Sequence, residues 1–120
     1  MTDTELADRY IDAWNETDPT TRAALVKDLF SVNARYTDPM AAAEGPEAIR
    51  ATIGAVQNQF PGFRFRLVGE VDGHHDQVRF TWELGPGSEP APIVGFDVAV
   101  LGPDSKIRLV LGFLDRVPQV

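Results

Sequence analysis

The sequence predicts an α+β domain, a cone-shaped roll in which three N-terminal helices pack on a curved antiparallel β-sheet and enclose a pocket. Up to Phe60, apolar residues recur at the spacing of one face of a helix. From Phe63 onward they alternate with polar residues at a period of two, which is typical of strands. Helices that precede strands along the chain favour antiparallel pairing over alternating β-α-β units around a parallel sheet.

Three segments carry the start signals of helices. The first helix is predicted over residues 2–15, because Thr2 and Glu5 have capping-box spacing. The second begins at Asp18, an N-cap acid followed by Pro19, and the third begins at Pro46. The apolar stripes of the three helices consist of Leu6, Tyr10 and Trp14, then Leu25, Val26, Leu29 and Phe30, then Ile49, Ile53 and Val56.

Five strands are predicted, one before the third helix and four after it. The first covers Asn33 to Thr37 and ends at Asp38, because the residue before a proline is held extended and Pro39 cannot donate to a ladder. We expect residues 40–45 to form a flexible link. The four later strands are predicted at Phe63–Val71, Gln77–Leu84, Ile93–Leu101 and Ile107–Asp115.

Length, composition and charge exclude several classes of protein. A chain of 120 residues is expected to form a single domain, 1–120, and no apolar stretch approaches the roughly 18 residues that span a bilayer. The absence of Cys excludes disulfides and thiolate metal sites. A net charge of -7 disfavours nucleic acid and anionic membranes as partners. The polar, acidic N-terminus lacks the features of a secretory signal, so we expect a cytoplasmic location.

Asp97 is the residue that most strongly indicates a functional site. It lies alone in the apolar strand Ile93–Leu101, where an ionised carboxylate without partners is costly. Such a group is neutralised by a raised pKa, finds hydrogen-bond donors, or faces a cavity. Its neighbours on the same strand face, Gly95 and Ala99, are small and are expected to leave space beside it, as in a pocket wall. A buried salt bridge to an arginine is the alternative.

The last two predicted strands carry apolar residues on both faces, unlike Gln77–Leu84, which alternates cleanly. If helices cover only one side of the sheet, the second face of these strands is exposed. A homodimer through that face is therefore expected. The alternative is a loop or C-terminal segment of the same chain that covers it.

The order of elements and several short motifs resemble those of a known superfamily. Arg9-Tyr10-Ile11-Asp12-Ala13-Trp14-Asn15 stands at the front, Tyr36-Thr37-Asp38-Pro39 in the first strand, and Gly112-Phe113-Leu114-Asp115 at the end. Nearly the whole chain is similar to the nuclear transport factor 2 superfamily, and within it most similar to the SnoaL-like polyketide cyclases. That superfamily includes enzymes as well as binding modules.

A comparison with the ketosteroid isomerases of this superfamily implies roles for three residues. Tyr10 resembles the tyrosine that donates to the substrate oxyanion, Asp38 the aspartate base, and Asp97 the aspartic acid held protonated. The resemblance thus implies a cofactor-free, metal-free isomerase or cyclase that transfers a proton next to the carbonyl of a small apolar molecule. From the residues alone, Tyr10 is equally explained as a core tyrosine, and Asp38 as a residue that shapes a turn.

The sequence is also compatible with two other functions, and it gives expectations for two further sets of residues. A non-catalytic ligand-binding or dimerisation module is the main alternative, and an epoxide hydrolase of the same fold is a further one. His74 and His75 are best explained as residues of a solvated turn. The aromatic residues expected to line the pocket as substrate contacts are Trp14, Phe65, Phe80, Trp82 and Phe113.

Overall fold

A computed structural model describes residues 1–87 and 90–118, which form three helices and six strands. In chain order these elements are α1 (Asp3–Asn15), α2 (Pro19–Leu29), β1 (Phe30–Thr37), β2 (Ala42–Glu44), α3 (Gly45–Gln59), β3 (Arg64–His74), β4 (Gln77–Gly85), β5 (Ile93–Leu101) and β6 (Ile107–Arg116). The predicted order of helices before the main strands is confirmed. None of the described helices is long and apolar enough to cross a membrane.

The predicted starts of the first two helices are confirmed by their capping contacts, whereas α3 begins at Gly45, one residue before the predicted Pro46, and has no side-chain cap. At α1, the Glu5 amide donates to the Thr2 hydroxyl at 3.1 Å, and the Thr2 amide donates to the Glu5 carboxylate at 3.2 Å. At α2, the Thr21 amide donates to the Asp18 carboxylate at 2.9 Å. These contacts satisfy amide groups that have no partner within the helix.

The six strands form one sheet in the order β2-β1-β6-β5-β4-β3. All neighbouring pairs are antiparallel except β1 and β6, which run parallel, with Tyr36 opposite Val110. The sheet is therefore mixed, and the prediction of a purely antiparallel sheet is wrong for this pair. The chain leaves β1, forms α3 and the β3–β5 meander, and returns along β6 in the direction of β1.

Two local predictions differ from the structure around β1. Its first residue is Phe30 instead of Asn33, so the strand follows α2 directly. The segment expected to be a flexible link contains β2, which pairs with β1 through Arg35 opposite Glu44. The turn between them is closed by a hydrogen bond from the Asp38 amide to the Ala41 carbonyl at 3.0 Å.

The core lies between the helices and the inner face of the sheet. On β4, the alternation predicted from the sequence is confirmed, because Val78, Phe80, Trp82 and Leu84 are all buried. The outer face of the sheet has no helix against it in the described structure. There β5 and β6 bring apolar pairs together, Phe96 opposite Phe113 and Val98 opposite Leu111. Phe113 is 58% exposed and Leu111 is 40% exposed, so the expected apolar outer face is present on the single chain.

Candidate active site

A cavity of about 490 Å³ lies between the helices and the inner face of the sheet. Helices α1 and α3, the end of β1, and strands β3 to β6 all contribute to its wall. Most of that wall is aromatic or aliphatic, and two carboxyl groups enter it. Its aromatic and acidic residues are Tyr10, Trp14, Tyr36, Phe60, Phe65, Trp82, Asp38 and Asp97.

Asp97 is buried on the inner face of β5, with 2% of its surface exposed. Its Oδ2 accepts a hydrogen bond from the Tyr10 hydroxyl at 2.8 Å. Burial raises the pKa of Asp97 to about 7, the hydrogen bond from Tyr10 and the nearby Trp82 side chain act against this rise, and the charge of Asp38 adds to it. The carboxyl group is thus partnered by the neutral Tyr10 hydroxyl, and among the described residues no salt bridge to Asp97 is observed.

The small neighbours of Asp97 have a different role from the one expected. A Cβ atom added at Gly95 would lie 2.1 Å from Cζ2 of Trp82, so the indole ring lies directly over this glycine. The space beside Gly95 is therefore filled by Trp82 and is not open to a ligand. Gly95 instead allows the Trp82 side chain to reach the Asp97 carboxyl.

Asp38 follows the last residue of β1 and has the turn geometry expected for an Asp before a proline. Its Oδ1 accepts from the amides of Met40 and Ala41, each at 2.8 Å. Its Oδ2 accepts from the Tyr36 hydroxyl at 2.5 Å. Asp38 therefore shapes the turn and also lines the cavity.

Gly112 lies where the side chains of Asp38 and Asp97 approach a common point. It lies on β6 directly opposite Asp97. A Cβ atom added there would be 2.9 Å from Oδ1 of Asp97 and 3.2 Å from Cβ of Asp38. The structure thus brings Tyr10, Asp38 and Asp97 to one cavity, although they come from distant parts of the sequence.

Tyr36 is a residue of this site that the sequence interpretation left without a role. Its position two residues before Asp38 was the available signal, because residues two apart in a strand share a face. Burial raises the pKa of Tyr36, and the charges of Asp97 and Asp38 raise it further. Tyr36 and Tyr10 thus form two tyrosine–carboxyl pairs in the same cavity.

Tyr10 and Trp14 occupy successive turns of α1 and face the sheet. Burial raises the pKa of Tyr10 well above its usual value, and the Asp97 charge adds to this effect. The edge of the Tyr10 ring packs on Phe80, with centroids 5.1 Å apart. Nε1 of Trp14 is close enough to the Tyr10 hydroxyl to lower its pKa, but it makes no hydrogen bond with any acceptor in the part of the chain that the structure describes.

The aromatic residues predicted to contact a substrate are divided between three places. Trp14, Phe65 and Trp82 line the cavity. Phe80 is buried in the core against Tyr10 and does not line it. The prediction for Phe113 is wrong: alternation along β6 places Gly112 on the inner face and Phe113 on the outer face.

The histidines lie outside this cavity. His74 ends β3 and His75 has a positive φ of 53° in the hairpin that follows, with the two rings packed edge to face at 5.7 Å. Among residues 1–87 and 90–118, no group of three or more His, Cys, Asp or Glu side chains is placed to hold a metal ion.

Comparison with known proteins gives one family match and many structural matches. The family described as "SnoaL-like domain" matches residues 7–110. A solved structure named as a candidate isomerase of the SnoaL-like family, from Agrobacterium tumefaciens, is 41% identical, has a TM-score of 0.91, and covers 96% of this chain and 99% of its own. No curated protein matches the chain.

Two more distant structures agree in fold. A candidate SnoaL-like polyketide cyclase from Jannaschia has 18% identity and a TM-score of 0.74, over 94% of this chain and 85% of its own. A nuclear transport factor 2-like protein of unknown function from Exiguobacterium has 22% identity and a TM-score of 0.72, over 92% of this chain and 98% of its own. These matches confirm the fold resemblance that the sequence motifs indicated.

Proposed function

Since the chain belongs to the SnoaL-like domain family, we propose that it is a cofactor-free isomerase or cyclase that transfers a proton next to the carbonyl group of a small apolar compound. The observation that carries this proposal is the buried Tyr10–Asp97 pair at 2.8 Å, which shares a cavity with Asp38. A base and a group of hydrogen-bond donors in a water-poor site are what enolisation requires.

In the proposed reaction, Asp38 acts as the base. The carbon–hydrogen bond next to the carbonyl breaks and its proton passes to Asp38. Its electron pair forms the carbon–carbon double bond of the enolate, and the π pair of the carbonyl moves to the oxygen. The hydrogen-bonded pair of Tyr10 and protonated Asp97 stabilises the resulting enolate oxygen by donating a hydrogen bond to it. Asp38 then returns the proton to another carbon, or the enolate carbon attacks a second carbonyl in a ring closure.

The charge of the cavity restricts the substrate. Its described lining includes no Lys, Arg or His, whereas two carboxyl groups enter it. An anionic ligand would be repelled by Asp38 and would find no cation to pair with. A neutral ketone or similar carbonyl compound, held by aromatic rings, fits this lining best. The epoxide hydrolase alternative is not favoured, because no Arg of the described lining stands beside Asp97.

One observation favours the alternative of a ligand-binding module without catalysis. The oxygens of Asp38 already accept three hydrogen bonds, from Met40, Ala41 and Tyr36. A carboxylate whose oxygens are already occupied by donors has little acceptor capacity left for a substrate proton. A protein of this kind would bind the same neutral compounds and release them unchanged.

Deuterium exchange of a simple ketone tests the proposed function without knowledge of the natural substrate. We expect the wild-type protein to accelerate exchange of the α-hydrogens of 2-tetralone in D₂O, followed by proton NMR, well above the rate in buffer. The matched control is Asp104→Asn, which changes an exposed carboxylate in the β5–β6 hairpin and should leave the rate unchanged. Binding of 2-tetralone without faster exchange would support the binding module instead.

We also propose that the partner of the outer face is a second copy of this chain. The apolar centre of that face, on β5 and β6, is flanked by cross-strand ion pairs on both sides: Arg79 with Asp72 and Arg66 with Glu83 on one side, and Arg35 with Glu44 on the other. The flanks are therefore locally neutral, so two chains of net charge -7 could meet there with little repulsion.

Sedimentation equilibrium should give a dimer for the wild-type protein at micromolar concentration and a monomer for Phe113→Lys. A lysine at this position would bring two like charges into an apolar contact, which is strongly unfavourable when buried. The control is Val32→Lys, because Val32 is also an exposed apolar residue but lies on β1 beside the first residues of β6, and not beside Phe113. A monomeric wild-type protein would contradict the proposal.

A further inference from the structure

The two oxygens of Asp38 have different surroundings. Oδ1 is held by two backbone amides, those of Met40 and Ala41, which fix the plane and direction of the carboxylate. Oδ2 has the Tyr36 hydroxyl as its partner, at 2.5 Å. A rotating hydroxyl can change its acceptor, whereas backbone amides in a closed turn cannot. Oδ2 is thus the oxygen whose hydrogen bond can change during a reaction.

Tyr36 is placed to serve more than Asp38. Its side chain is buried, with 3% exposure, and lines the cavity against the Trp14 ring, with centroids 5.5 Å apart. Oδ1 of Asp97 and Cβ of Asp38 lie within 3.2 Å of the same point above Gly112. The charges of both carboxyl groups raise the pKa of the Tyr36 hydroxyl, which agrees with a location near the two of them.

The Tyr10–Asp97 pair alone offers few hydrogen-bond donors to a ligand. The single hydroxyl proton of Tyr10 is used in the bond to Asp97. When Asp97 is protonated, the pair holds two protons, of which one remains between the two side chains. Only one donor is then left for an enolate oxygen, whereas efficient oxyanion sites use at least two.

We propose that Tyr36 is a further catalytic residue of the proposed reaction, which donates to Asp38 in the resting site and to the enolate oxygen after Asp38 has taken the substrate proton. This inference rests on the function proposed above. The substrate carbon–hydrogen bond breaks, and the proton is bound by Oδ2 of Asp38. The electron pair of that bond forms the carbon–carbon double bond, and the π pair of the carbonyl moves to its oxygen. Protonated Oδ2 is a poor hydrogen-bond acceptor. The Tyr36 hydroxyl therefore turns to the enolate oxygen, which is now the stronger acceptor. No other reactant is consumed.

A binding cycle with 2-naphthol, a planar phenol that resembles an enolate, separates this role from a structural one. Asp38→Asn imitates the neutral, protonated form of Asp38 while keeping an oxygen for the Met40 and Ala41 amides. In this background we expect Tyr36→Phe to weaken 2-naphthol binding roughly tenfold, since it removes a donor to the ligand. In the wild-type background, where Tyr36 donates to Asp38, the same change should weaken binding less than about threefold.

Equal losses in the two backgrounds would overturn the inference, because a merely structural Tyr36 acts alike in both. Absence of 2-naphthol binding to the wild-type protein and the Asp38→Asn variant up to the solubility limit would overturn it as well. If Tyr36→Phe does not fold, tyrosine labelled with ¹³C at Cζ gives the same answer from folded protein, because the chain has only two tyrosines. The Tyr36 signal should then shift on 2-naphthol binding in Asp38→Asn and remain nearly unchanged in wild type; no difference between them would count against the proposal.

The two proposals can fail separately. If the binding cycle gives the expected difference but wild-type protein does not exchange 2-tetralone, Tyr36 is a recognition donor and the isomerase proposal fails. If exchange is fast and the cycle shows no difference, Asp38 works without help from Tyr36.

Discussion

Asp38→Asn should lower the rate of 2-tetralone deuterium exchange on the order of 10³-fold, because a positioned general base contributes about 10²–10⁴ in rate. The amide oxygen of the new residue can still accept from the Met40 and Ala41 amides, so the turn after β1 is retained. The group lost is the second carboxylate oxygen, which accepts from Tyr36 and would take the substrate proton. Exchange rates at saturating ketone, measured by NMR for both proteins, provide the comparison.

The control for this prediction is Asp104→Asn, and thermal unfolding of both variants shows whether the fold is intact. A fall in rate of less than about tenfold would mean that the proton is taken by another group. Asp38 would then be a turn residue that lines the cavity, and this result would support the alternative of a ligand-binding module without catalysis.

Asp97→Asn should remove a pH dependence of stability that amounts to several kcal/mol. The pKa of Asp97 is about 7 in the folded protein against the ordinary value of 3.8, so between these values the folded chain holds a proton that the unfolded chain has lost. Stability then falls as pH rises, by at most about 1.4 kcal/mol per pH unit, or roughly 4 kcal/mol in total. The stabilising effect is complete below pH 4 and lost above pH 7.

Urea unfolding of the wild-type protein and Asp97→Asn from pH 4 to pH 8 measures this effect. Other titrating groups are shared by both proteins, so they cancel in the difference between the two free energies of unfolding. We expect the variant to gain stability relative to wild type as pH rises, and the difference to become constant above pH 7. Parallel profiles would show that Asp97 is ionised and partnered in the folded state.

Elements with a single strong pattern could be predicted from the sequence. The capping residues Thr2 and Asp18 were sufficient to locate two helix starts, because a side-chain cap depends on local geometry. Strand β5 was predicted with its exact limits, and Asp97 was identified because one acid in an apolar strand has few physical explanations.

The errors arise where local pattern carries no information. Both faces of β6 are apolar, so the sequence of polar and apolar residues did not show which face carries Phe113. In the structure Phe113 lies on the outer face. Strand β2 is Ala-rich and short, and it exists because β1 offers an edge to pair with. The position of Tyr36 two residues before Asp38 was a signal in the sequence, but its proximity to Asp97 depends on the fold.

The position of β6 in the sheet has a consequence for the order of folding. It is the last strand along the chain, yet it lies in the middle of the sheet, between β1 and β5. Until β6 is inserted, the β2–β1 hairpin and the β3–β4–β5 meander are separate pieces, each with an unpaired edge. Joining them requires a contact between strands far apart in sequence, which is slow compared with local pairing. Since the cavity has walls from both pieces, we expect Asp38 and Asp97 to come together only when β6 is in place.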